Sequence, residues 1–326
     1  MRLVDGSIAD GRSNLFLLLG KYGQGKTHTL RFLETHVNSM KKGEAIGIYL
    51  DSPGNSLVDL YRKFVTALGR DRVLQYAKEF SGSIFLAYVK KLISDVEKGL
   101  LSSAEFPFYV TTDDLVRSNV RRLLREMAGS ELPDFASVLI QLPDKSKEEL
   151  AWKWLSARRM AASELRDRLA VTTGIETDED AVKASKALLD ILHQIGYRMV
   201  FLLLDEMEYL TLQLDEKARQ AYTSNLRDLV DKNPEGLCMF FSCAAEAENE
   251  FKTTSDPAFI SRIPRANEVA LEKLSQRDIK QFIIDYLDQA RISTAKSKDE
   301  KELDQERLKP FDEDSIPEIY KRSDGG

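Results

Sequence analysis

The sequence contains few cysteines and few histidines, and this limits the kinds of site it can hold. Its 326 residues include two cysteines, Cys238 and Cys243, and three histidines. Both cysteines lie in or beside the apolar run 237–242, where we expect small core residues and no disulfide. None of the histidines is spaced with them as metal ligands are. The sequence therefore argues against a disulfide-stabilised secreted domain and against a zinc site.

The sequence also lacks long apolar runs. The longest contain about six residues, whereas a helix that spans a bilayer needs about 20. Residues 1–5 do not resemble the start of a secretory signal peptide. We therefore expect a soluble, cytoplasmic protein with no membrane partner.

Positive charge is not in excess. The net charge of −6 gives no overall attraction to nucleic acid, so any DNA contact would need a local basic patch. Arg117, Arg121 and Arg125 recur at four-residue intervals in a helical pattern, but we favour a solvated face paired with acidic neighbours over a phosphate-binding face. Trp152 and Trp154 are likewise interpreted as helix packing in preference to base stacking.

The segment 20–27 matches G-x-x-x-x-G-K-[ST], the phosphate-binding P-loop. The apolar run 15–19 precedes it as a buried parallel strand would, and a helical pattern with Leu30, Leu33, Val37 and Met40 on one face follows it. The segment therefore predicts a nucleotide site. Its expected binding residues are Gly20, Tyr22, Gly23, Gln24, Gly25, Lys26, Thr27 and His28.

The spacing of this motif suits phosphate and Mg²⁺. Glycines let successive backbone N–H groups point at an anion, and the following helix adds its positive N-terminal end. We expect Lys26 to contact the β- and γ-phosphates and the Thr27 hydroxyl to bind Mg²⁺. Because no N-K-x-D motif for guanine is present, ATP is the favoured nucleotide.

A second motif supports the first. The apolar run 199–204 ends in Asp205 and Glu206, which is the Walker B pattern of a buried strand that delivers carboxylates to its C-terminal edge. Asp205 is predicted to hold Mg²⁺, and Glu206 to act as base toward the attacking water, with Glu208 as the alternative base. Such a pair also argues against a small-molecule kinase.

Five apolar runs predict an α/β fold with a parallel sheet and helices on both faces. The predicted strands are 14–19, 45–50, 199–204, 237–242 and 266–271. Parallel neighbours need only a dozen or more connecting residues, so the long gap 52–198 predicts a helical insertion between the second and third strands. Thr177 and Asp180 are expected to cap the last helix of that insertion.

Together these motifs resemble those of AAA+ ATPases of the origin-recognition-like and STAND-like branch. The phrases 23–30 and 205–208 look particularly like the ATP-binding proteins of BREX-type phage-exclusion systems. The resemblance covers most of the chain. It implies a three-layer P-loop NTPase with strand order 5-1-4-3-2, a nucleotide-binding core over 1–271 and a partial helical lid over 272–326.

The resemblance also implies further site residues and partners. Ser242 matches the sensor-1 position, and Arg262, or failing it Arg265, matches an arginine finger that completes a neighbouring subunit's site. It implies a homo-oligomer that binds ATP between subunits and acts on DNA or a partner protein. The chain stops where sensor 2 and a winged helix would follow, so a fragment of a longer protein is expected.

Two functions remain open from the sequence. One is an ATPase that drives remodelling or loading, with Glu206 as base and Lys26, Ser242 and Arg262 assisting. The other is an ATP-dependent switch or scaffold with slow turnover and little motor activity. Both need the same residues, so the sequence alone does not separate them.

Overall fold

The computed structural model of the chain describes residues 2–41, 43–105, 109, 133–272, 275–290 and 308–323. Its centre is a five-stranded sheet in which every pairing is parallel. The strands are β1 (Asn14–Gly20), β2 (Ala45–Leu50), β3 (Met199–Leu204), β4 (Leu237–Ala244) and β5 (Glu268–Ala270). Their order is β2-β3-β4-β1-β5, which read from the β5 edge is the predicted 5-1-4-3-2.

Helices cover both faces of this sheet. In chain order they are α1 (Arg2–Asp10), α2 (Lys26–Met40), α3 (Leu57–Leu68), α4 (Arg70–Glu97), α5 (Pro133–Leu139), α6 (Glu148–Leu155), α7 (Asp178–Gln194), α8 (Glu208–Gln213), α9 (Glu216–Asp231), α10 (Glu248–Thr254), α11 (Pro257–Ile260), α12 (Gln276–Ala290) and α13 (Ser315–Ser323). A π-helix over Glu164–Leu169 and a 3₁₀ turn over Arg265–Asn267 complete the described elements. The α/β prediction is confirmed.

Alternation along the strands divides the core into two layers. On one face, Phe16 and Leu18 of β1 pack with residues of α1 and α2. On the other face, Leu15 and Leu17 pack with the helices of the insertion and with α9. Cys238 is fully buried in the layer that contains Phe16 and Leu18, and burial raises the pKa of its thiol to about 11, as expected of a core residue.

Every regular element that the structure describes in the insertion between β2 and β3 is a helix, as predicted. Thr177 and Asp180 form the expected capping box of α7. Both tryptophans are buried, and the indole of Trp154 donates to the carbonyl of Thr173 at 2.9 Å, so the packing interpretation is confirmed. The three arginines at 117, 121 and 125 lie outside the described residues.

The C-terminal region contains the two helices α12 and α13, which pack on each other over a small apolar cluster of their own. Ile279, Ile284, Leu308 and Ile316 are its buried members. A helical C-terminal region was expected from the sequence, while its role as a lid and the domain boundary between residues 271 and 272 stay predictions. In the part of the chain that the structure describes, no helix is both long and apolar enough to cross a bilayer.

Two details differ from the sequence-based expectations. The helix α1 was not predicted, although Val4 and Ile8 bury its inner face against the sheet. The fifth strand was predicted over 266–271 but is confined to Glu268–Ala270, because the 3₁₀ turn occupies the residues before it.

Candidate functional site

The P-loop lies between β1 and α2 and leaves the first N–H groups of α2 available to an anion. Gly23 and Gly25 have φ values of 81° and 82°, in the left-handed region that favours glycine. A Cβ built on either would meet no atom within 4 Å, so the requirement for glycine is conformational. Gly25 is the N-cap of α2 and makes no side-chain cap. A helix N-terminus in this state is suited to bind phosphate.

Internal hydrogen bonds hold the loop in this shape. The side-chain oxygen of Gln24 accepts from the N–H of Lys21 at 2.6 Å. The ammonium of Lys26 donates to the carbonyls of Gly20 at 3.0 Å and Lys21 at 3.2 Å. Lys26 therefore lies folded over the loop, beside the region that phosphates would enter.

A cavity of about 480 Å³ opens over the P-loop and brings most of the predicted site together. Its lining residues are Tyr22, Gly23, Gly25, Lys26, Thr27, His28, Arg31, Asp205, Glu206 and Glu208. The two motifs meet here because β1 and β3 both end at this edge of the parallel sheet, on either side of β4.

Asp205 is almost fully buried at the end of β3, and hydrogen bonds reach both of its carboxylate oxygens. Oδ1 accepts from the hydroxyl of Ser242 and from the N–H of Glu206, the latter at 3.1 Å. Oδ2 accepts from the hydroxyl of Tyr49 at 2.8 Å. Burial, and then the hydrogen bond to Asp205, raise the pKa of Tyr49, so the phenol stays a donor. The carboxylate is held in one orientation.

Glu206 has an unusual backbone conformation. Its φ is +55°, in the left-handed region, and its N–H donates to Asp205 and to Ser242 Oγ at 3.1 Å. The side chain is exposed at the cavity, yet partial desolvation raises its pKa, and the charges of Asp205 and Glu208 act in the same direction. A carboxylate with a raised pKa is a better proton acceptor for water than an ordinary glutamate.

Glu208 also lines the cavity, but its carboxylate accepts from the N–H of Ala244 at 3.1 Å. It therefore ties the α8 N-terminus to the end of β4. Of the two glutamates, Glu206 is the one whose described contacts leave its carboxylate facing the cavity.

The chain also matches a known family. A family model described as BREX system ATP-binding protein BrxC/D covers residues 5–298. This chain belongs to that family. None of the curated proteins compared with the chain matches it. The chain is therefore an ATP-binding protein of the BREX family, as the resemblance indicated.

The cavity over the P-loop has residues that fit Mg²⁺ together with ATP. Thr27 and Asp205 supply the hard oxygen ligands that Mg²⁺ prefers, and both line the cavity. Among the described residues, no group of three or more His, Cys, Asp or Glu side chains is arranged to hold a metal ion. Mg²⁺ at a P-loop needs no such cage, since one or two protein ligands, waters and phosphate oxygens complete its shell.

Two of the predicted catalytic residues, Ser242 and Arg262, do not line the cavity over the P-loop. Ser242 is fully buried, and its hydroxyl donates to Asp205. Arg262 is exposed after α11, where its Nε and Nη2 donate to the two oxygens of Asp231 at 3.0 and 3.1 Å. Arg265 is exposed in the 3₁₀ turn. Within one chain, Ser242 acts on Asp205, and Arg262 is engaged by α9.

Sequence reasoning missed Tyr49 and Arg31. Tyr49 is the penultimate residue of β2 and was interpreted only as part of that apolar strand, although a strand next to β3 must bring its last side chains near Asp205. Arg31 lies one turn into α2, with its guanidinium 3.5 Å from the centre of the Tyr49 ring. Arg31 lies outside the P-loop motif, five residues after Lys26, so the motif did not predict a role for it.

Proposed function

We propose that this chain hydrolyses ATP with Glu206 as general base, and that hydrolysis drives remodelling or loading on DNA or a partner protein during phage exclusion in the cytoplasm. The observation that carries the proposal is the position of Glu206. Its carboxylate lines the phosphate cavity beside Lys26, and its environment raises its pKa. A nucleotide-binding site without turnover would not need such a base.

The other residues of the cavity have separable roles. The N–H groups of the loop and the Lys26 ammonium bind the β- and γ-phosphates. Thr27 and Asp205 would hold Mg²⁺, which neutralises charge on the phosphates when it is bound. Glu206 accepts the proton of the attacking water. The hydrogen bonds that its backbone N–H donates fix the position of the backbone from which the carboxylate side chain extends.

Assembly completes the site in this proposal. Arg262 lies outside the chain's own cavity, so it would act on ATP bound by a neighbouring subunit of a homo-oligomer. Its bidentate pair with Asp231 would have to open first. An exposed ion pair of this kind contributes little net stability in water, so a γ-phosphate can compete for the arginine.

The second candidate is a slow ATP-dependent switch. It is favoured by the fact that neither Ser242, which is buried behind Asp205, nor Arg262, which pairs with Asp231, lines the cavity, so that an isolated chain presents an incomplete set of catalytic groups. In that case ATP would stabilise one assembly state, and hydrolysis would only reset it.

ATP turnover measured against protein concentration separates these functions. For the remodelling ATPase, we expect turnover per chain to rise as the protein assembles and to rise further with duplex DNA or the partner protein. Turnover that stays slow in the assembled state and does not respond to DNA or partner would support the switch. Absence of turnover under all conditions would overturn hydrolysis itself, and the same assay with Lys26→Ala gives the background.

A further inference from the structure

Tyr49 contacts Asp205 from a neighbouring strand. β2 lies at the edge of the sheet beside β3, with Tyr49 opposite Leu203 and Leu50 opposite Leu204. The N–H of Asp205 continues this ladder by donating to the carbonyl of Leu50 at 2.9 Å. The Tyr49 ring, 8% exposed, therefore has its hydroxyl within reach of the carboxylate that follows β3.

The hydrogen bonds of Asp205 leave its two carboxylate oxygens with different numbers of unused lone-pair sites. An ionised carboxylate has about four lone-pair sites, two on each oxygen. Ser242 and the N–H of Glu206 occupy both sites on Oδ1, whereas Tyr49 occupies one site on Oδ2. Among the described residues, no other group donates to this carboxylate. The remaining site is therefore on Oδ2, the oxygen that Tyr49 holds.

Tyr49 is itself fixed from α2. The Arg31 guanidinium lies 3.5 Å from the centre of its ring, close enough for a cation–π interaction. Glu34 accepts from the N–H of Tyr49 at 3.2 Å and pairs with Arg31 at 3.2 Å. The helix can approach so closely because Gly47 has no side chain, and a Cβ there would lie 3.2 Å from the Cα of Glu34. Contacts to the ring of Tyr49 and to its backbone N–H therefore keep its hydroxyl in position.

We propose that Tyr49 is a positioning residue for Mg²⁺ binding: its hydroxyl fixes Oδ2 of Asp205 so that the remaining lone pair of that oxygen faces the metal. The inference rests on the proposed function in taking Asp205 as the Mg²⁺ ligand. Outer partners of metal ligands typically change metal affinity about 10- to 100-fold when they are lost. Since Ser242 and the Glu206 N–H would still hold Oδ1, we expect an effect near the lower end of that range.

The test compares Tyr49→Phe with wild type by titrating Mg²⁺ against binding of a fluorescent, non-hydrolysable ATP analogue. Phenylalanine keeps the ring and its contact with Arg31 and removes only the hydroxyl. We expect the Mg²⁺ midpoint to rise roughly tenfold, while affinity for the analogue in EDTA stays unchanged. Tyr61→Phe is the matched control, because that buried hydroxyl donates to the carbonyl of Leu155 at 2.7 Å and does not contact Asp205.

The remaining outcomes distinguish the inference from the function on which it rests. Asp205→Ala should lose the Mg²⁺ effect; if it keeps a wild-type midpoint, Asp205 is not the ligand and the proposed metal site fails. If Asp205→Ala loses the effect but Tyr49→Phe has the wild-type midpoint, the positioning role alone is refuted. A Tyr49→Phe chain that fails to fold while Tyr61→Phe folds would also refute it, because the hydroxyl would then be structural.

Discussion

Replacing Glu206 by glycine is expected to stabilise the protein while it removes the proposed base. Glu206 has a φ of +55°, and the other non-glycine residues with positive φ in the described chain are Ala157 and Ala170. A residue with a Cβ pays about 1–2 kcal/mol in this left-handed region. The cost is retained at Glu206 because hydrogen bonds to Asp205 and Ser242 fix its N–H. Strain of this kind is concentrated at functional sites.

The magnitude follows from two opposing contributions. Glycine removes the steric cost of about 1–2 kcal/mol but loses about 0.4–1 kcal/mol through the greater freedom of the unfolded chain. The expected net gain is about 1 kcal/mol. Glu206→Ala provides the reference, because alanine removes the carboxylate and its repulsion with Asp205 yet keeps the Cβ. The difference between the two variants therefore measures the backbone alone.

Calorimetric melting without nucleotide is the assay. A gain of 1 kcal/mol shifts Tm by about 2–4 °C in chains of 150–250 residues, so Glu206→Gly should melt about 2 °C above Glu206→Ala here. Neither variant should hydrolyse ATP. The control is Ala170→Gly, where φ is +57° on an exposed residue that does not line the cavity: it should stabilise similarly and leave ATP turnover unchanged. Equal melting temperatures for Glu206→Gly and Glu206→Ala would refute the left-handed strain.

Two further predictions concern ATP binding and assembly. Lys26→Ala should weaken ATP binding about 10- to 150-fold without unfolding the nucleotide-free protein, because charge-assisted hydrogen bonds contribute about 1.5–3 kcal/mol. Unchanged ATP affinity in isothermal titration would refute the P-loop assignment. Arg262→Ala should abolish turnover while ATP binding by the single chain stays intact, and mixing it with Lys26→Ala should restore part of the turnover, since each supplies what the other lacks. No rescue in mixtures that co-assemble by sedimentation would count against Arg262 acting on a neighbour's ATP.

The sheet and the phosphate loop could be predicted from the sequence because their signals are local. Continuous apolar runs such as 199–204 are typical of strands buried on both faces, and the glycine spacing of the loop has one established use. The capping box at Thr177 and Asp180 is equally local. The helix α1 was not predicted because its buried side, chiefly Val4 and Ile8, is too short to give a clear helical periodicity of apolar residues.

The details of the site depend on contacts between distant parts of the chain. The contact of Tyr49 with Asp205 joins residues 156 positions apart, and a tyrosine in an apolar strand gives no sign of where its hydroxyl goes. The pair of Arg262 with Asp231 is similar, because the motif that suggested the arginine says nothing about its neighbours. The left-handed conformation of Glu206 could not be read from a residue type that rarely adopts it.

The central claim is that Glu206 activates water in a site that binds ATP. Single-turnover hydrolysis by Glu206→Gln, with ATP and Mg²⁺ binding measured on the same preparation, tests it most directly. Glutamine keeps the size and the Cβ of the side chain but cannot accept the proton. The account predicts wild-type ATP affinity with hydrolysis at least ~100-fold slower. Hydrolysis at the wild-type rate would contradict it and would make Glu208 the candidate base.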